Sequence, residues 1–152
     1  MSRSSNHNTD SRRYNDWLFH AFEDYLAADV LHKEEKLQSV CVFHCQQCFE
    51  KSLKAFLLYK NKKLFDGHNL TWLCKQAAMI DTDFMRWLTK STMLNRYYIE
   101  TRYPADIPLT ISYDDADDIL SCTREMLFHI CELLKFDYRS YHRRKPERRS
   151  AE

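Results

Sequence analysis

Residues 41–56 read CVFHCQQCFEKSLKAF, and two incompatible structures can be drawn from them. Cysteines at 41, 45 and 48 stand in the C-x3-C-x2-C spacing with which a radical enzyme holds an iron–sulfur cluster. The same residues also belong to a longer periodic run, from about Ser39 to about Tyr59, whose apolar positions nearly surround a helix. That pattern marks a central helix packed on several sides. On it, positions 41, 45, 48, 52 and 55 form one stripe, occupied by Cys, Cys, Cys, Ser and Ala. Such small residues let a neighbouring helix approach closely, while Phe49, Leu53, Phe56 and Leu57 fill the wider gaps beside them. Sulfurs on one straight helical face cannot wrap three corners of a cluster, and the flexible loop of a larger barrel that such enzymes use has no counterpart here. A zinc site through His44 and Cys48 would need two further ligands from other helices. The cysteines are therefore expected to be core residues, with no metal and no cofactor.

The rest of the chain agrees with a helical fold. Its 152 residues, 44% hydrophobic, are enough for one compact core. A single Gly and three Pro leave too few breakers for sheets joined by tight turns. The fold class expected is all-α, in roughly five helical segments. A first helix is expected from about Tyr14 to Leu31 and a short third one from near Asn69. A fourth should run from about Thr82 to Thr101, stopping before Pro104, and a last from about Asp114 to Asp137, with the acidic start DDADD at the positive end of its dipole. No run approaches the roughly 20 apolar residues needed to cross a bilayer, and no leader is visible, so a cytoplasmic protein with reduced thiols is expected.

Charge is uneven. Residues 139–152 carry a net of +4 and the first thirteen +2, leaving −5 on the body between them. Both ends are polar and are expected to be tails flanking a helical domain at 14–138. A basic tail attracts phosphates without sequence preference, although solvation alone also accounts for it.

Four blocks, in order, resemble the HEPN family of small helical domains. They are Trp17, Ala21, Asp24 and Ala28 in the first helix; QQCFEKSLKAFL in the second; HNLTWL at 68–73; and LNRYYIETRYP at 94–104. The resemblance implies an up-and-down bundle of four or five helices, usually a homodimer, that binds a nucleotide or RNA and is often encoded beside a small nucleotidyltransferase as a toxin and antitoxin pair. In many members it implies metal-independent RNA cleavage by an Arg and a His four to six residues apart.

The residues allow part of this. Gln47, Lys51 and Lys54 share a polar stripe on an otherwise apolar helix; two lysines and an amide suit a phosphate-bearing ligand, and equally a solvated strip with lysine stems over apolar surface. Asn95, Arg96, Tyr98 and Arg102 cluster late in the fourth helix, where arginine suits the negative helix end and where forked phosphate contacts and a stacking ring are also available. His68, before the third helix, fits a turn better than catalysis. In the block closest to the family's active region Arg102 stands where a histidine is expected. Arginine stays protonated and cannot do acid or base work near neutral pH. Arg124 and His129 match the Arg and His spacing formally but point about 140° apart on a helix. Binding without cutting is the favoured reading, with an RNA-cleaving toxin and a pure interaction module as alternatives. Trp87, Met93, Tyr97 and Tyr98 add bulky surface, some of which is expected to lie between subunits.

Overall fold

The structure, a computed structural model, describes residues 10–100 and 110–143, without the side chains of 98–100 and 141–143. Five α-helices follow in order: α1 (Tyr14–His32), α2 (Gln38–Asn61), α3 (Leu70–Ile80), α4 (Leu88–Glu100) and α5 (Tyr113–Leu133). Short 3-10 segments occupy Glu35–Leu37, Thr82–Trp87 and Tyr138–Arg143. No strand occurs among the described residues, and no helix among them is long and apolar enough to cross a membrane.

Helix α2 is the spine, touching all four other helices. Its stripe Cys41, Cys45, Cys48, Ser52 and Ala55 has no exposed surface, and α1 and α5 pack most extensively against it. Leu18, Ala21 and Ala28 of α1 and Met126, Leu127 and Ile130 of α5 complete that core. The starts of α3 and α5 are held by side chains. Asn69 accepts from the Trp72 backbone N–H and Ser112 from that of Asp115, satisfying donors that a helix N-terminus leaves open. At the far end of α2, Lys62 takes the left-handed conformation (φ 56°) and its N–H reaches Leu58 O at 3.0 Å.

Three expectations need correction. The fourth helix does not start at Thr82; residues 82–87 are 3-10, begun by Asp81, whose carboxylate accepts from Asp83 N at 3.0 Å. Three residues per turn bring Phe84 and Trp87 onto one line, and both enter the core, Phe84 meeting Phe56 at 4.4 Å between ring centroids. Trp87, expected between subunits, is therefore an interior residue. The last helix ends four residues earlier than Asp137. Lys135 adopts a left-handed φ of 53°, and Phe136 N bonds back to Cys131 O at 2.9 Å, a helix stop that normally uses glycine. The turn folds Phe136 onto Phe19 and Tyr138 onto Phe22 and Phe128. Of the two expected tails, 1–9 and 144–152 lie outside the described residues. Residues 139–143 continue the final 3-10 segment, and Ser11 is tied to α1 by its carbonyl accepting from Trp17 Nε1 at 2.8 Å.

Candidate functional site

A charged seam runs between α1 and α2. Asp24, on the buried side of α1, receives Lys51 Nζ at 2.5 Å on one oxygen and faces His44 Nδ1 at 2.8 Å with the other. Farther along α2, the buried Glu50 faces His68 Nδ1 at 2.6 Å and Lys54 Nζ at 3.9 Å. The Lys54 ammonium also sits over the Trp17 ring, 5.5 Å from its centroid, an arrangement that stabilises a poorly hydrated cation. Both lysines expected to meet phosphate thus face a carboxylate, which offsets the cost of burying each charge. Gln47, third on that stripe, donates to Gln46 at 2.6 Å.

From Glu50 the polar groups continue to the α3–α4 end. His68 leads into Asn69, and Asn95 reaches across from α4. Its Oδ1 accepts from Leu70 N at 2.7 Å, and its Nδ2 donates to Asn69 Oδ1 at 3.0 Å and Thr71 Oγ1 at 2.9 Å. Asn95 therefore serves the start of α3, and its neighbour Arg96 is exposed. The structure brings Lys54, Glu50, His68, Asn69 and Asn95 into one polar belt, and Arg96 follows Asn95 on α4. Arg102 and the side chain of Tyr98 lie outside the described residues. Sequence reasoning missed Asp24 and Glu50 as charge partners, because the first sits within the apolar spacing of α1 and the second is flanked by apolar residues on α2.

Arg124 and His129 have different surroundings. Arg124 is exposed, with its guanidinium 5.5 Å from the Phe128 ring centroid. His129 is half-buried against Trp87 at 5.1 Å and Phe84 at 5.7 Å. Its Nε2 is buried and has no hydrogen-bond partner among the described residues. Asp81, Asp83 and His129 each offer a ligand atom within 4.8 Å of the others, and are the residues among those described that could share a cation. The thiols are poor ligands. Burial pushes Cys48 well up, Cys131 to about 12 and Cys122 to about 11, so they stay protonated near neutrality, when a metal or a nucleophilic step requires thiolate. Cys41 moves the other way, its thiolate stabilised by a hydrogen bond with Cys45.

The HEPN domain model matches residues 14–133. Two solved structures share the fold. One is an archaeal HEPN homologue, ST0689, 21% identical, with a TM-score of 0.62. The other is TT1696 from Thermus thermophilus, 23% identical, with a TM-score of 0.65. Each alignment covers 80% of this chain and 98% of the other. No curated protein matches the sequence.

Proposed function

Because the chain belongs to the HEPN family, we propose that it binds a nucleotide or RNA as a homodimer, using the α4 edge of the polar belt. The observation that carries the proposal is Asn95. By accepting from Leu70 N and donating to Asn69 it locks α4 to the start of α3, so the adjacent exposed Arg96 stands on a fixed backbone. A guanidinium held this way makes forked contacts with phosphate. Arg102 and Tyr98 are the further contacts of this proposal, whereas Lys51 and Lys54, each facing a carboxylate, bring no unpaired charge to it. With Arg102 in the place where the family's cutting members carry histidine, binding proceeds without cleavage. A small nucleotidyltransferase is the partner that family membership favours. Arg96→Ala should weaken RNA binding by about 1–3 kcal/mol, the range for a lost charged hydrogen bond, with an unchanged circular dichroism spectrum. Unaltered affinity in that variant would sink this assignment.

One observation favours RNA cleavage as a second reading. Glu50 holds His68 Nδ1 at 2.6 Å, and a carboxylate that fixes one imidazole nitrogen is what acid–base chemistry by the other requires. Incubating the pure protein with mixed RNA and EDTA separates the readings. Cleavage that is present in the parent and lost in both His68→Ala and His68→Asn variants selects this second reading; cleavage lost only with His129→Ala selects the pair Arg124 and His129 instead.

A further inference from the structure

Beyond the Asp24 pair, the start of α1 and the end of α2 border an open cleft of about 550 Å³, lined by Arg12, Tyr14, Leu58, Tyr59, Lys62 and Lys63. Its volume is in the range of small-ligand sites. Three of its six lining residues are cations, and none of the three has a carboxylate within 4.0 Å among the described residues. Tyr14 and Tyr59 meet edge to face at 5.0 Å and form the aromatic wall. The ammonium groups of Lys62 and Lys60 lie 5.0 and 5.8 Å from the Tyr59 ring centroid, so the ring holds positive charge at the cleft.

A second observation separates this cluster from ordinary solvated lysines. Cations near a helix C-terminus are favoured by its dipole, but the dipole does not ask for a lysine at the left-handed position that ends the helix. Glycine is the usual occupant there, and a side chain with φ 56° is strained. Nor does the dipole of α2 explain Arg12, which arrives from the segment leading into another helix. Lys135 ends α5 in the same left-handed conformation, so it is Arg12, brought beside Lys62 and Lys63 from another element, that sets this cluster apart.

We infer that this cleft binds a single-stranded polynucleotide, with Arg12, Lys62 and Lys63 on its phosphates and Tyr14, whose ring carries no such cation among the described residues, against a base. Positive groups tracking a backbone beside aromatic faces are the general means of holding single strands. The inference rests on the proposed nucleotide or RNA binding but places the strand on a surface remote from Arg96 in sequence and on other helices.

The test follows backbone amide shifts of the isotope-labelled full chain as a short oligouridylate, uridine monophosphate or inorganic polyphosphate is added, with fluorescence anisotropy giving the affinities. Oligouridylate should move the amides of Arg12, Tyr14, Tyr59, Lys62 and Lys63. Lys63→Glu and Lys62→Gly should each weaken it about fivefold or more, the effect of a lost charged contact, and lower the salt slope by roughly 0.7 per phosphate released. Lys62→Gly should at the same time raise the melting temperature by relieving the strained φ, which a merely solvated lysine would do without loss of affinity. Shifts confined to the amides around Arg96 overturn the cleft and leave the proposed function standing. Shifts in the cleft that survive Arg96→Ala with unaltered affinity support the cleft and remove the Arg96 assignment, whereas no shift anywhere removes both. Monophosphate binding as tightly as the oligonucleotide overturns the strand, and polyphosphate binding as tightly overturns the aromatic contact.

Discussion

Lys51 Nζ stands 2.5 Å from Asp24 Oδ2, joining α2 to α1 through a carboxylate that is only 8% exposed. Removing the carboxylate leaves a half-buried ammonium and a half-buried imidazole without their shared acceptor. Asp24→Ala should cost about 1.5–3 kcal/mol of unfolding free energy, read from urea denaturation. Adding Lys51→Met should recover part of that loss, since a broken buried pair is worse than an absent one. A double variant as unstable as the sum of its singles would show that the two side chains are not coupled.

Asn95 acts as donor and acceptor at once. Asn95→Asp keeps an acceptor for Leu70 N but loses the donors to Asn69 and Thr71 and sets a negative charge against Asn69 Oδ1. It should destabilise the protein by about 1–2 kcal/mol, the range for a damaged helix cap. Hydrogen exchange of the first amides of α3 should accelerate, with those of α5 unchanged.

His129 packs two aromatic faces while its buried Nε2 goes without a hydrogen bond among the described residues. His129→Phe keeps the ring and removes the unpaired nitrogen, so the melting temperature should hold or rise. His129→Ala should lose about 1–3 kcal/mol. A fall in stability with Phe would mean that Nε2 has a partner in solution, and zinc added to the parent is the direct check on Asp81 and Asp83 as its co-ligands.

The buried thiols give a pH dependence. An unperturbed thiol releases its proton near 9.0, whereas Cys131 in the folded chain holds its own to about 12 and Cys122 to about 11. Below 9.0 both states are protonated and the contribution to stability is complete. Between 9.0 and the raised values only the unfolded chain ionises, so stability should fall as pH rises through that window. Thiol labelling of the native protein at mildly alkaline pH should reach Cys122 first, since it alone of the six is not buried. Rapid labelling of Cys48 in the native state would contradict its burial.

The spine helix is legible because apolar residues on nearly every side of a 24-residue run leave no other place for it than the middle. The start of α1, the Asn69 cap and the acidic start of α5 are equally plain. What periodicity cannot show is which charge meets which. Lys51 and Lys54 are visible as a stripe, but Asp24 lies 27 residues before Lys51 and inside an apolar repeat. Asn95 reads as a ligand contact because its structural task, serving Leu70 on another helix, involves no local pattern. The end of α5 is hidden because lysine does there what glycine ordinarily signals. The cleft at Lys62 and Lys63 is hidden too, because KNKK looks like a solvated connection until Arg12 and two tyrosines are brought beside it.

The packing of α2 against α1 also has a kinetic meaning. The two helices are joined by residues 33–37 alone, and among the described residues they pack on each other more extensively than any other pair, so a large part of the core can assemble at little loop-closure cost. The α1–α2 hairpin should be formed at the folding barrier, with α5, which must return from beyond residue 112 to reach the same stripe, docking after it. Cavity-forming substitutions at Leu18 or Leu53 should then slow refolding, whereas one at Ile130 should mainly speed unfolding.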